Sequence, residues 1–397
     1  MGYKTYTCPI AKSCGGCEWL AVPYPIQLKR KQAQVEELLA EMVAQDGGTI
    51  EPIRGMEEPL AYRYKAATPF APGKKGHIRS GFYAAGTHRI VRCESCLVEP
   101  ERAREALNAV ARIAESLGIA AYNEDSGRGM LRHAVIRLGY ASDEALLTLV
   151  TNGDQIKREQ QLVKELREAC PWITSIVQNM NDRRTNAILG WRNRTLFGPG
   201  IMHDQLLGCS FEIGPTSFYQ TNPAQTEVLY QLAIEGAQLQ DGAHLLDAYC
   251  GTGTIGICAA HTAAQEGTNV QVTGIERVKD AIAAAERNAR ANGLADSCSF
   301  IAADATAWLT SAARHERTTA FDAVILDPPR AGSTPEFLHA AAQASPARIV
   351  YVSCNVVTQA RDLAVLRADG YRIERVTPVD MFPHTKHVET VVLLSNR

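Results

Sequence analysis

HLLDAYCGTGT (244–254) decides how the C-terminal half of this chain folds. An apolar run breaks into a turn with two glycines, and a helical stretch, TIGICAAHTAA (254–264), follows at once. The alternation then repeats. VQVTGIE (270–276), SFIAADA (299–305), AVILDPP (323–329) and RIVYVSC (348–354) are short apolar runs with β-branched residues. Between them VKDAIAAAERNARANG (278–293), PEFLHAAAQAS (335–345) and TQARDLAVLRADG (358–370) have helical spacing. Apolar strands alternating with helices predict an α/β fold with a doubly wound, mainly parallel, Rossmann-like sheet. YRIERVTPVDMF (371–382) and HVETVVLLS (387–395) predict an antiparallel hairpin at its edge.

The chain upstream has a different texture. Residues 26–45 have helical spacing, with Val35, Leu38, Leu39 and Met42 on one face, and Asp46-Gly47-Gly48 ends that helix. Residues 60–95 read as short strands broken by prolines and glycines. A helix over Glu101–Leu117, two strand-like runs, a further helix and a strand follow, giving an α+β region that ends near residue 190. The expected organisation is a cysteine segment (1–25), a helical segment that packs on the last domain (26–50), an α+β domain (51–195) and the doubly wound domain (196–397).

The 397 residues carry a net charge of -2, so no global field draws the chain to a polyanion. Residues 60–93 are an exception. They hold Arg63, Lys65, Lys74, Lys75, Arg79, Arg89 and Arg92, no acid, and interleaved Tyr62, Tyr64, Phe70, Phe82 and Tyr83. Basic plus aromatic composition suits phosphate contact and base stacking. No run approaches the ~18 apolar residues of a membrane helix, and the first residues lack a signal-peptide core. A cytoplasmic protein that does not enter membranes is expected. Eleven cysteines in such a chain point to metal binding or catalysis rather than disulfides.

The strand ends carry the candidate chemistry. Asp247-Ala248-Tyr249-Cys250-Gly251-Thr252-Gly253-Thr254 is a glycine turn able to approach a ligand. Glu276 ends the next strand, where an acid can bind both ribose hydroxyls. Asp304 ends the third, placed for an adenine edge or an amine. The spacing is wrong for a nicotinamide-type Gly-x-Gly-x-x-Gly, and no phosphate-cradling Gly-Lys-Ser/Thr exists. A cofactor with an adenosine and no pyrophosphate fits better. Asp327-Pro328-Pro329-Arg330 ends the fourth strand. Cys354 ends the fifth, before a helix, where a thiol is expected to be exposed with a lowered pKa. Phe382 to Glu389 combines His384, Lys386, His387 and Glu389, a composition for acid–base work. SFYQTN (217–222) offers aromatic and amide groups to a base or cofactor.

Together SFYQTN, DAYCGTGT, LDPPRAG (326–332), VSCN (352–355) and HVE (387–389) resemble the RNA uracil-C5 methyltransferases, over almost the whole chain. The resemblance implies a covalent route. Cys354 would add to C6 of the uracil, C5 would take the methyl group of S-adenosylmethionine, and Glu389 would remove the C5 proton. It places Gln220, Tyr249, Thr254, Glu276, Asp304 and Asp327 on the cofactor. The residue types make sense, because C5 is a poor nucleophile until C6 carries a substituent. A base must then reach C5, and the target must leave the stack.

Cys8, Cys14 and Cys17, with Cys93 and Cys96 downstream, suit a tetrahedral metal or an iron–sulfur cluster. The resemblance points to a [4Fe–4S] cluster on Cys8, Cys14, Cys17 and Cys96, with Cys93 as the competing fourth ligand and zinc as the alternative metal. With Arg63, Lys65, Lys74, Lys75 and Arg79 it implies an RNA surface. Cys8 stands almost at the start, so the small β-barrel (TRAM) domain of longer relatives is expected to be absent, as in the short bacterial 23S ribosomal RNA enzymes. A monomer is expected. The competing functions are a transfer-RNA uracil enzyme, an RNA cytosine-C5 methyltransferase, a small-molecule methyltransferase and a non-catalytic RNA-binding iron–sulfur redox sensor.

Overall fold

The computed structural model describes residues 4–314 and 320–396. Two compact units are interleaved in the chain. One holds residues 1–23, 58–205 and 212–223, and the other holds 24–57, 206–211 and 224–397.

The second unit begins first, with helix α1 (Tyr24–Asp46) and the two-residue strand β1 (Thr49–Ile50). Strands β2 (Lys65–Pro72), β3 (Ile78–Tyr83) and β4 (Ile90–Arg92) follow in the other unit. Helix α2 (Glu101–Ser116), strands β5 (Leu131–Leu138) and β6 (Ala145–Thr151), helix α3 (Glu159–Ala169) and strands β7 (Ser175–Met180) and β8 (Arg192–Phe197) complete its sheet. That sheet has seven strands in the order β4-β3-β2-β5-β6-β7-β8, antiparallel except for β6 against β7. Helix α2 lays Ala103, Ala106, Leu107, Val110, Ile113 and Ala114 on its core, the i, i+3, i+4 spacing of one helix face. Arg104 on the same helix is buried and forms a forked pair with Glu99 at 2.9 and 2.8 Å. A hairpin, β9 (Met202–Leu206) with β10 (Cys209–Ile213), then leads back.

Helix α4 (Pro223–Ala237) opens the return to the second unit. Strand β11 (His244–Ala248), α5 (Thr254–Gln265), β12 (Gln271–Glu276), α6 (Lys279–Ala291), β13 (Cys298–Ala302), α7 (Ala305–Arg314), β14 (Ala323–Leu326), α8 (Pro335–Gln343), β15 (Arg348–Ser353), α9 (Val356–Ala368), β16 (Tyr371–Val379) and β17 (Glu389–Asn396) follow. The eight-stranded sheet runs β1-β16-β17-β15-β14-β11-β12-β13. It is parallel except around β17, which is antiparallel to both neighbours. This is the expected doubly wound class. One detail differs. The terminal hairpin is not the sheet's edge, because β1 pairs in parallel with β16 through Thr49↔Arg375 and Ile50↔Val376.

Helix α1 covers this sheet with Gln27, Lys31, Val35, Leu39 and Val43, while Leu38 and Met42 are only partly buried. Burying each of the three aliphatic residues contributes roughly 1.5–3 kcal/mol. Lys31 and Asp380 are both fully buried and paired at 2.5 Å. Losing one partner of such a pair costs about 3–5 kcal/mol. No described helix is long and apolar enough to cross a membrane.

Candidate active site

Parallel strand register brings the strand ends together. Ala248 of β11 stands beside Ile275 of β12 and Leu326 of β14, and Leu326 stands beside Tyr351 of β15. Tyr249, Glu276 and Asp327 therefore leave the sheet at one edge, with Asp304 just past β13. Open α/β sheets bind ligands in the crevice at this edge. The glycine turn is held from below. Asp247, buried, accepts from the Gly256 N–H at 2.9 Å, and burial pushes its carboxyl up to about 7. Gly253 has φ +77°, and a Cβ there would come within 2.8 Å of Phe300. Tyr249 is itself left-handed at φ +63°, a strained conformation of the kind kept at ligand sites. Thr254 is buried, and its hydroxyl lies 2.9 Å from that of Tyr230. Glu276 is half-exposed and accepts from the Val278 N–H at 2.8 Å. Asp304 is exposed and caps α7 through the Ala307 N–H.

The reactive set sits two strands along. The antiparallel register Ser353↔Thr390 sets Cys354, after β15, beside Glu389 at the start of β17. Glu389 is buried, and desolvation followed by the charge of Asp327 pushes its carboxyl up to about 8. Burial alone pushes Asp327 up to about 7. Such a carboxylate gains from any cation or hydrogen-bond donor laid over it. Cys354 departs from expectation. It is half-buried and its thiol is pushed up, first by burial and then by Glu389 and Asp327, with Arg330 opposing. Position ahead of a helix does not outweigh desolvation and two carboxylates.

A network that sequence reasoning missed fixes these groups. Asn355 caps α9 by accepting from the Val357 N–H at 3.2 Å, and its amide donates to the Arg330 carbonyl at 3.1 Å. The nucleophile turn is thereby tied to the loop after Asp327. Buried Asp362 accepts from Tyr351 Oη at 2.5 Å and from the Ser333 N–H at 2.7 Å. The Ser333 hydroxyl lies 2.8 Å from Tyr249 Oη. Gly332 is left-handed at φ +81°, and a Cβ there would meet Asp362 at 2.5 Å and Arg361 at 2.6 Å. Gly332→Ala is expected to cost about 1–3 kcal/mol of stability and, if Tyr249 contacts the cofactor as the family resemblance implies, to weaken its binding through the Ser333–Tyr249 contact. Thermal melts and calorimetric titration with S-adenosylhomocysteine check both.

The loop ahead of Glu389 is pinned by α1. Lys31 holds Asp380 and donates to the Phe382 carbonyl at 3.0 Å, and Tyr24 Oη donates to Asp380 at 2.8 Å. His384 was a candidate acid–base group. It is buried, lies 3.1 Å from Gln27 Nε2 through Nδ1 and donates its backbone N–H to Gln27 Oε1 at 2.9 Å. Those contacts make it part of the loop's scaffold. His387 is half-buried, with its ring against Phe382.

Other expected site residues belong to the first unit. Gln220 lines a small cavity with Tyr64, Lys65, Arg137, Leu138, Met202, Ile213 and Tyr219. Buried Arg137 donates to the Ser217 carbonyl, and the Gly214 N–H donates to Ser217 Oγ at 3.0 Å, which shapes the SFYQTN turn. Lys74, Lys75 and Arg79 are exposed, whereas Arg63 and Lys65 are half-buried. Burial lowers the Lys65 ammonium to about 8. Cys8, Cys14, Cys17, Cys93 and Cys96 line one cavity, joined by Arg63 and Phe82. Among the described residues no three Cys, His, Asp or Glu side chains stand close enough to hold a metal ion as placed. Cys93 is buried, and its thiol donates to the Ser95 carbonyl at 3.1 Å.

The chain is similar to known proteins. Residues 208–397 match the family described as tRNA (Uracil-5-)-methyltransferase. An uncharacterized RNA methyltransferase of Halalkalibacterium halodurans is 39% identical over 98% of this chain and 82% of its own length. One of Bacillus cereus is 38% identical over 99% of this chain and 83% of its own. Among solved structures, Pyrococcus abyssi tRNA (uracil-54, C5)-methyltransferase in complex with S-adenosyl-L-homocysteine is similar at a TM-score of 0.75 and 28% identity. That match covers 98% of this chain and 87% of that one. With the strand-end crevice and these relatives, the chain belongs to the tRNA/RNA (uracil-5-)-methyltransferase family, whose fold is that of the S-adenosylmethionine-dependent methyltransferases.

Proposed function

We propose that this protein methylates carbon 5 of a uridine in folded RNA through a covalent Cys354–C6 adduct. The observation that carries the reading is the pairing of β15 with β17, which sets a half-buried thiol beside a buried carboxyl at the cofactor edge of the sheet. Cys354 as thiolate adds to C6, and the ring electrons pass to the C4 carbonyl oxygen. The enolate electrons return through C5, which bonds to the methyl carbon of S-adenosylmethionine as that carbon's bond to sulfur breaks, and S-adenosylhomocysteine leaves as the neutral thioether. Glu389 takes the C5 proton, the C5–C6 double bond re-forms and Cys354 leaves. A base with a pKa of about 8 suits proton abstraction near neutral pH. Because burial and the acids raise the Cys354 thiol, the rate is expected to climb with pH across the neutral range.

For the cofactor, Tyr249, Thr254, Glu276, Asp304 and Asp327 stand around the crevice, and Gln220 of the SFYQTN turn is assigned to it by family resemblance. Asp327, desolvated at its strand end, suits a ligand with a cationic centre. The first unit is assigned to RNA, with Lys74, Lys75 and Arg79 exposed and Arg63 and Lys65 set deeper.

The five thiols around one cavity are a soft donor set of the kind that holds iron–sulfur clusters. Cys8, Cys14, Cys17 and Cys96 would hold a [4Fe–4S] cluster, with a structural role in shaping the RNA surface. Protein purified without air should be brown and contain iron and sulfide. Cys17→Ser should lose the colour and Cys93→Ser should keep it. A colourless, zinc-loaded protein would refute the assignment.

Ribosomal RNA of the 23S type is the proposed substrate, because the cysteine set resembles that branch of the family. A transfer-RNA substrate is the second reading, favoured by the similarity to the Pyrococcus abyssi enzyme. Mass mapping of 5-methyluridine in both RNAs, from cells with and without the gene, separates them. Loss of one ribosomal site supports the first, loss of a transfer-RNA site the second, and an unchanged profile contradicts both.

A further inference from the structure

Between β7 and β8 the chain leaves the first unit's sheet in a loop that buried polar groups hold in place. Asn181, almost fully buried, donates its amide to the carbonyls of Ala187 at 2.7 Å and Ile188 at 3.0 Å. Buried Asn179 exchanges two bonds with the backbone of Gly190, at 3.1 and 2.7 Å. From beneath, Arg132 donates to the carbonyls of Asn181 at 2.6 Å and Arg183 at 2.7 Å, and its guanidinium lies 4.5 Å from the Tyr122 ring.

What this platform displays is unusual for a surface. Trp191 is 82% exposed, the most exposed large hydrophobic residue among those described. The Arg183 guanidinium stands 4.9 Å from its ring centroid. Residues 181–194 contain Arg183, Arg184, Arg192 and Arg194 against one acid, Asp182. Arg194 is engaged with Glu159 and Gln178, while Arg184 and Arg192 are exposed. The neighbouring Thr185, Asn186 and Ala187 are exposed, and Ile188 beside them is 38% exposed. A protein-binding hot spot needs an apolar surround that can be desolvated. Here the exposed ring has one exposed aliphatic side chain, Ile188, in its loop and is otherwise set among arginines and polar residues, which matches the stacking and phosphate contact of single-stranded nucleic acid.

We infer that the 181–192 loop is a docking element for an unpaired stretch of the RNA substrate, with a base on the face of Trp191 and phosphates on Arg183, Arg184 and Arg192. The surface is separate in sequence from the basic stretch at 60–93. The inference rests on RNA being the substrate and not on which atom is methylated.

Two probes test it, an unmodified 23S ribosomal RNA transcript and a uridine decamer. Either should quench tryptophan emission in the wild type. Trp191→Ala should lose most of that quench and weaken binding roughly tenfold or more, and Trp191→Phe should restore part of the affinity. Arg192→Gln should flatten the dependence of log Kd on log salt by about 0.7. S-adenosylhomocysteine affinity should stay at the wild-type value in all three, as a check on folding. Trp191→Ala and Trp191→Phe both binding the RNAs as tightly as wild type would overturn the docking role. A wild type that binds RNA through Trp191 but methylates no uridine would overturn the uridine chemistry and leave the docking role standing. A wild type that binds neither RNA would overturn both.

Discussion

Cys354→Ala is expected to lower methyl transfer to RNA by roughly 10⁴-fold or more, the loss typical of a removed covalent nucleophile. The physical reason lies in the substrate. In the proposed substrate, carbon 5 of uracil has little nucleophilic character until C6 is substituted, and among the described residues no other thiol stands at this edge in a comparable setting. Cys250, which follows β11 at the same edge, is buried and its thiol is pushed far above its ordinary range. The fold should survive the change, because Cys354 is only half-buried and the turn is held by Asn355 and Ser353. RNA carrying 5-fluorouridine, which has no removable C5 proton, should trap the wild type as a covalent complex on a denaturing gel. The variant should give none. Methyl transfer by Cys354→Ala at near wild-type rates would remove the thiol from the reaction.

Glu389→Gln should slow turnover by roughly 10²- to 10⁴-fold, with a different signature. Adduct formation and methylation remain possible, so a methylated, covalently bound RNA should accumulate. The same substitution should change how stability depends on pH. The folded carboxyl titrates near 8, well above its ordinary value of 4.5. Between those values the folded state holds a proton that the unfolded chain has released, so wild-type stability falls as pH rises from about 4.5 to about 8. Glutamine removes that penalty. Glu389→Gln should therefore gain on the wild type as pH rises, by as much as a few kcal/mol above pH 8. Melting curves across this range check it. A difference that does not vary with pH would contradict a buried, proton-holding Glu389.

Much of the catalytic sheet could be read from apolar runs, because parallel strands buried on both faces leave continuous Val, Ile and Leu signatures. Strand β1 could not. Two residues after Gly48 carry no period, and only the structure shows them pairing with β16. Strand β8 was equally hidden, since RNRTLF is an exposed strand with no apolar alternation. Helix α1 was readable from Val35 and Leu39, but Lys31 on that same buried row looks like solvent-facing charge until Asp380 is found opposite it. Asp362 presents the same difficulty. It sits on a helix with alternating charges, and nothing local distinguishes it from a surface acid. Its role comes from Tyr351 and Ser333, residues 11 and 29 positions away. Strand-end residues such as Glu276, Asp327 and Cys354 stood out because topology places them; supporting groups, whose partners are distant in sequence, did not. His384 misled for the complementary reason, since a histidine in a polar run has the same appearance whether it is reactive or locked to a buried glutamine.

In the proposed reaction a methyl group enters at C5 of uridine and the C5 hydrogen leaves. Release of tritium from RNA made with [5-³H]uridine, measured alongside incorporation of methyl groups from S-adenosylmethionine, tests it most directly. One tritium released to water for each methyl group bound is the predicted result. Methyl incorporation without tritium release would place the modification elsewhere on the nucleotide and contradict the assignment of Cys354 and Glu389.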